Sequence, residues 1–232
     1  MAPALAWLED PSFSWEQSAL PGSGLRSHLF PRLIQSGLIF CQNIGISNPE
    51  TALSVLHTGL GIYSALVIPA TWFLCRRLEC NPKTISLATW LVALHFAMPY
   101  VGTRLLIESM AIPPLIFGLA LCANLSLRGL LLGGFFIGLS TWFRYQVGAA
   151  ALGLVLGLFY NRLTSAGFKA TIRPLGALAL GGLFAVALQG IYDLVTTGQF
   201  LGPVVNNILY NLDPPGSLTR SNPLSYLGFW LL

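Results

Sequence analysis

Charge is what this chain has least of. Only 9% of its 232 residues are Asp, Glu, Lys or Arg, against roughly a quarter in an ordinary soluble domain. A chain this poor in charge cannot clothe a water-facing surface, which excludes a soluble globular enzyme or binding module. Acids are scarcer than bases, 8 against 12, and the resulting +4 net charge is spread over the ends of apolar runs. Basic residues placed that way suit loops beside anionic lipid, not a nucleic-acid surface. No phosphate-cradling Gly-Lys-Ser/Thr loop, Gly-x-Ser-x-Gly elbow or His-Glu-x-x-His helix occurs, so nothing points to nucleotide hydrolysis or to a serine or zinc hydrolase. There are 4 cysteines. Cys75 and Cys80 flank Arg76-Arg77-Leu78-Glu79 at a spacing unlike paired-Cys zinc motifs. All four Cys are read as small apolar fillers. The first residues, Met1–Trp7, have neither the basic region nor the apolar core of a signal peptide.

What is present is apolar. Hydrophobic residues make up 54% of the chain, and the mean hydropathy is +0.70. Several charge-poor stretches approach the ~20 residues that cross a bilayer. The expected fold class is therefore all-α integral membrane, a multi-pass helical bundle. A short first run over 31–46 is interrupted by Arg32, Gln35, Gln42 and Asn43. A clear span over 51–75 ends in Arg76-Arg77, and further runs cover 84–101 and 105–127. Residues 129–160 are apolar but broken at Arg144-Tyr145-Gln146, giving two short spans or one kinked pair. A strong run over 175–192 ends at Tyr192-Asp193, and a last one begins at Leu227. Glycines recur near every fourth residue in three sets (Gly129, Gly133, Gly134, Gly138; Gly148, Gly153, Gly157; Gly176, Gly181, Gly182), a pattern that lets membrane helices approach closely.

Lys and Arg set the orientation. The loops holding Arg76, Arg77 and Lys83, and Arg162, Lys169 and Arg173, are expected on the cytosolic side. Four crossings between them place Arg104 and Arg144 toward the outer or lumenal face, and one more crossing brings Asp193–Pro223 there. Two arrangements of the start stay open. If 31–46 and 51–75 both cross, Arg26–Pro31 is cytosolic; if 31–46 only dips in, the two polar segments share a face.

Charge inside a membrane bundle is costly and is usually retained for function. Arg104 and Glu108 lie one turn apart at the start of a span, either as a structural ion pair or as substrate ligands. Arg144 interrupts an apolar stretch, and a lone Arg there also reads as snorkelling to the interface. Asp193 closes the last complete span, as a cap or as a ligand. Tyr210-Asn211, after Asn206-Asn207, fall in the loop that follows. His57 and His95 have no acidic neighbour and read as core histidines. Trp72, Trp90, Tyr100, Trp142 and Tyr160 read as an interfacial aromatic belt. The most polar stretch of all is at the start: Trp15-Glu16, then Arg26-Ser27-His28-Leu29-Phe30-Pro31.

In their order, these pieces resemble the dolichyl-phosphate-mannose-dependent mannosyltransferases, multi-span GT-C glycosyltransferases that mannosylate GPI anchors and N-glycan precursors. Members show a Trp-Glu segment and then an Arg-Ser…Pro segment entering a span, here Trp15-Glu16 and Arg26–Pro31. They carry Arg-x-x-x-Glu at a later span, here Arg104–Glu108, and an Arg closing a Gly-rich span, here Arg144. An Asp, a Gly a few residues on and an Asn-rich segment ending in Tyr-Asn follow, here Asp193, Gly198 and Asn206–Asn211. The resemblance implies a polyprenyl- or dolichyl-phosphate sugar donor, usually mannose, a glycan or glycolipid acceptor, and chemistry on the lumenal or periplasmic face of the endoplasmic reticulum or bacterial inner membrane. It implies direct displacement without metal or other cofactor: a carboxylate takes the acceptor proton while cations stabilise the leaving lipid phosphate. Glu16, Arg26, His28, Arg104, Glu108, Arg144, Asp193, Tyr210 and Asn211 are the implied substrate or phosphate contacts, with Arg26 and His28 on the phosphate because Arg meets phosphate oxygens at two points.

The chain departs from that family at both ends. The family's first lumenal loop opens, after an initial span, with His-Pro-Asp-Glu, whose acid is the expected base; neither span nor motif is present. The expectation is thus a fragment truncated at both ends, with its base upstream of Met1 and little activity of its own. It divides into residues 1–30, the remnant of a first lumenal loop; 31–192, the bundle; 193–226, a second lumenal loop; and 227–232, the start of a cut span. The alternative is a non-enzymatic transporter or scaffold in which Arg104, Glu108 and Asp193 line a pathway. A glucose- or aminoarabinose-transferring branch of the lipid-sugar class is a third reading. The sequence shows no internal repeat, and its polar residues gather at span ends, which favours the transferase.

Overall fold

The computed structural model describes residues 29–95, 107–123 and 125–212, with the backbone alone at some helical positions, among them Glu108, Tyr210 and Asn211. Among these residues the fold is entirely helical: α1 Leu29–Asn43, α2 Pro49–Ala65, α3 Val67–Arg77, α4 Pro82–Leu94, α5 Ile107–Cys122, α6 Leu127–Thr141, α7 Val147–Ala166, α8 Phe168–Thr197 and α9 Gly202–Leu212. Two stretches are long and apolar enough to cross a membrane, Pro49–Arg77 (α2 and α3 together) and Thr171–Thr197, while Ser109–Cys122 and Leu127–Thr141 are shorter apolar helices. The outer faces carry bare apolar side chains, with Leu94 73% and Val195 80% exposed. A surface of that kind suits lipid.

Local chemistry sets the helix boundaries. Asn-Pro opens two helices: Asn48 Oδ1 accepts from the Glu50 amide at 2.9 Å and Asn81 Oδ1 from the Thr84 amide at 2.8 Å. In each case Pro takes the first helical position, where no amide is needed. Pro69 has no N–H to give the Ala65 carbonyl, and the long helix is offset there into α2 and α3. The break read at Arg144-Tyr145-Gln146 is a tight turn separating α6 from α7, so this stretch is two helices. Residues 202–212, which the sequence reading placed within a polar loop, form α9. Gly198, left-handed at φ 75°, ends α8 by donating its amide to the Leu194 carbonyl at 3.0 Å.

Glycines let the central helices meet at backbone distance. A Cβ on Gly134 would strike the Leu178 carbonyl, and one on Gly181 the Leu131 carbonyl; at Gly138 it would stand 2.9 Å from the Gly182 oxygen. From Gly134–Leu178 through Gly138–Gly182 to Trp142–Ala185 the contacts rise together along both chains, so α6 and α8 run parallel, with α7 as the return between them. Gly118 and Gly133 similarly bring α5 against α6, antiparallel. Cys122, Leu130, Ile137 and Leu178 form the core of this three-helix contact. The third glycine set behaves differently along its length: Gly181 and Gly182 are in the crossing, whereas Gly176 has open space. Gly148, Gly153 and Gly157 on α7 also have no atom within 4 Å of an added Cβ.

Two prolines inside α5, Pro113 and Pro114, remove amides from the Ser109 and Met110 carbonyls. A neighbouring helix supplies one replacement: the Tyr63 hydroxyl donates to the Met110 carbonyl at 2.9 Å. One residue on, Ser140 Oγ donates to the Ala111 carbonyl at 2.7 Å, fully buried. Trp142, expected in an aromatic belt, instead donates Nε1–H to the Ala185 carbonyl at 3.0 Å and clamps the end of α6 to α8. His57 is half-buried and His95 exposed at the end of α4; neither is a core histidine, because their helices turn those faces outward.

The bundle has two unlike ends. Rings of Phe73 and Phe117, stacked at 6.0 Å, align the end of α3 with the end of α5. The start of α6 follows α5 directly, and α8 runs parallel to α6 from the same level. Arg76, Arg77, Lys83, Arg128 and Arg173 are exposed in that region. Opposite lie the start of α5, the α6–α7 turn and the last turns of α8. From Arg173 to Asp193 is twenty residues of one helix, about 30 Å, the thickness of a bilayer's hydrocarbon.

Candidate functional site

The end remote from Arg76, Arg77, Lys83, Arg128 and Arg173 gathers buried polar side chains that the helices leave unsatisfied. Gln189 and Asp193 are 1% and 0% exposed, and their spacing of four puts them on one face of α8. Both Asp193 carboxylate oxygens, Gln189 Nε2 and the Tyr192 hydroxyl are buried without a hydrogen-bond partner. Native proteins seldom leave such groups orphaned unless a water, ion or ligand meets them. Buried polar groups elsewhere in the core, such as Ser140 and Thr171, donate to backbone carbonyls.

Other elements converge on the same place. The Trp142–Ala185 bond fixes the register of α6 against α8, so Arg144 and Tyr145, just beyond Trp142, stand at the level of Gln189. Arg144 is half-buried in the turn, where its carbonyl accepts from the Val147 amide at 3.1 Å. The buried hydroxyl of Tyr145 lies in the same turn. From α1, Arg32 comes within electrostatic reach of the Tyr192 phenol, which also feels Asp193. The backbone of α8 is held here by hydroxyls, Thr197 Oγ1 donating to the Asp193 carbonyl at 2.7 Å. Phe200 folds back onto Gly190, where an added Cβ would have to displace its ring.

Below this cluster an apolar groove of about 210 Å³ opens between α6, α7 and α8. Gly134, Gly138 and Gly182 form part of its wall, with Ala151 and Leu154 of α7 opposite, and it rises to Thr141 and Val186. Val186 is one turn short of Gln189. Along α8 the apolar slot, which reaches Val186, is followed one turn later by Gln189 and two turns later by Asp193. Among the described residues no group of three His, Cys, Asp or Glu side chains could hold a metal ion.

Of the residues singled out from sequence, Asp193 and Arg144 fall at this end. Glu108 is in the first turn of α5, also at this end by backbone position, and Tyr210 and Asn211 are in the last turn of α9. Glu16, Arg26, His28 and Arg104 lie outside the described residues. Sequence reasoning missed Arg32, Tyr145, Gln189 and Tyr192 as site residues. The available signal was spacing: Gln189 is the only amide one turn before the one acid of α8. Comparison of this chain with protein-family models, curated proteins and solved structures finds no match.

Proposed function

We propose that this chain is the membrane part of a glycosyltransferase that moves mannose from a polyprenyl- or dolichyl-phosphate donor to a glycan or glycolipid acceptor. The observation that carries this reading is the buried, unpartnered Asp193, with Gln189 and Tyr192, on the turns of α8 that follow an apolar groove. A prenyl-phosphate sugar has that same division: a long apolar tail, an anionic joint and a hydroxyl-rich head. The groove suits the tail. Carboxylate, amide and phenol suit sugar hydroxyls, which both donate and accept, and the carboxylate accepts in charge-assisted bonds. Arg32 and Arg144 supply cationic guanidinium groups for the phosphate, whose departure needs charge stabilisation. The multi-pass bundle of GT-C type, with this end facing the lumen or periplasm, belongs to the same proposal. A transporter would place its unpartnered polar groups near mid-membrane, whereas these lie at one end of α8.

The test is photo-crosslinking in nanodiscs holding the full chain, with a polyprenyl-phosphate mannose bearing a diazirine in its tail. Labelling of Gly134–Thr141 or Leu178–Val186, competed by unlabelled donor and lost in Asp193→Asn, supports the reading. Labelling no stronger than that of a diazirine phospholipid overturns it.

A further inference from the structure

The C-terminus of α3 carries a feature that the proposed transferase does not use. The amide of Cys80 donates to the Cys75 carbonyl at 3.1 Å, and that of Glu79 to the Arg76 carbonyl at 3.2 Å. Glu79 is left-handed at φ 56°. These are the two crossed bonds and the left-handed residue of a Schellman cap. In such a cap the side chain just past the left-handed residue meets the one five positions earlier, usually as an apolar contact. Here both are cysteines. Cys75 and Cys80 are half-exposed free thiols, in hydrogen-bonding contact with each other, whereas Cys41 and Cys122 are buried and separate.

We propose that Cys75 and Cys80 are a redox-active dithiol, closed to a disulfide by exchange with a low-molecular-weight disulfide and reopened by its thiol. One cysteine, as thiolate, attacks a sulfur of the small disulfide; that S–S bond breaks and one small thiolate leaves. The second cysteine, as thiolate, then attacks the protein sulfur of the mixed disulfide and expels the other small thiolate. The two protons lost by the cysteines end on the two small thiols, and the electron pair passes from the cysteines to the oxidant. Geometry favours the second step. The closing loop is only six residues long, so ring closure costs little, and the cap already holds the sulfurs together. Glu79 has a Cβ where the cap prefers glycine, a strained backbone conformation, so the open cap is accessible and a bridge would lock it. Arg76 and Arg77 are engaged over the rings of Trp72 and Phe73, each 4.8 Å from the ring centre, which leaves the thiol pair uncovered between α3 and α4.

The experiment uses the full chain in nanodiscs, equilibrated in mixtures of reduced and oxidised glutathione, then alkylated and digested. Trypsin cuts after Arg76 and Arg77, inside the loop, so a bridge yields two peptides joined through Cys75 and Cys80. The expected result is loss of two alkylatable thiols, both at this pair, fully reversed by reduced glutathione, with Cys41 and Cys122 unchanged. Glu79→Gly, which keeps the left-handed cap, retains the bridge; Glu79→Pro, which cannot adopt it, gives separate glutathione adducts instead. Stable separate adducts on the unaltered chain, no oxidation at either thiol, or equal bridging in Glu79→Pro overturns the proposal.

Discussion

Asp193 joins a strong local conflict among the described residues to its proposed function. A carboxylate with no exposed surface and no hydrogen-bond partner pays for desolvation and receives nothing back from the fold. Asp193→Asn removes the charge with little change of shape. It is predicted to raise the stability of the ligand-free protein by about 1–3 kcal/mol, the scale of an unsatisfied buried group, while abolishing stabilisation by donor. Thermal unfolding in detergent checks this, followed by a thiol dye reaching the buried Cys41 and Cys122 with Cys75 and Cys80 replaced by Ser. A loss of stability would show that the ionised carboxylate is part of the fold. Asp193 was legible in the sequence because one acid in a long apolar run stands out. Gln189, Tyr192 and Tyr145 were not, since an amide and two phenols hardly disturb hydropathy; their meaning comes from a shared level that only the α6–α8 register sets.

At the scale of elements, the sequence announced close helix packing but not which glycines achieve it. Three glycine sets share one spacing, yet the crossing uses the α6 set and part of the α8 set and leaves α7 open. Spacing puts residues on one face; it does not say whether another helix covers that face. Gly134→Ala and Gly181→Ala, whose Cβ atoms would meet carbonyls, are predicted to separate α6 from α8 and lower the unfolding temperature. Gly153→Ala, in open space, is predicted to be neutral or to stabilise by about 0.5–1 kcal/mol through helix propensity. The prolines of α5 allow a sharper test. The Met110 carbonyl lacks an amide because Pro114 stands four residues on, and Tyr63 replaces it. Tyr63→Phe is predicted to cost about 1 kcal/mol, and less in a Pro114→Ala background, where the helix makes the bond itself. A double-mutant cycle reads the difference; strict additivity would show that the hydroxyl and the proline are unconnected.

At the scale of the whole molecule, among the described residues, exposed basic charge marks one end and buried polarity the other. The Lys and Arg pattern alone placed Arg144 and Asp193 on one side, and in the fold they share an end of the bundle, with Arg76, Arg77, Lys83, Arg128 and Arg173 grouped away from them. The first apolar run, left with two arrangements by the sequence, becomes α1, paired antiparallel with α2 through Leu38, Cys41 and Ala52. Its Arg32 is near enough to act electrostatically on the Tyr192 phenol, which brings the start of α1 toward the Asp193 end. Hydropathy could not decide this, because Arg32, Gln35 and Gln42 weaken the run without showing which element receives them. The two-ended pattern has a direct consequence in a bilayer. Lys83 and Gln199 are both exposed and sit beyond opposite ends of the Arg173–Asp193 length of helix, about 30 Å apart along the axis. In sealed vesicles, with Cys75 and Cys80 replaced by Ser, Lys83→Cys and Gln199→Cys are predicted to react with a membrane-impermeant maleimide from opposite sides, each becoming reactive from the other only after permeabilisation. The Lys83 side should be cytosolic, since basic loops are retained there during insertion. If both positions react from one side, the Thr171–Thr197 helix does not cross, the Asp193 cluster is no longer at a membrane face, and a lipid-linked donor loses its route to it.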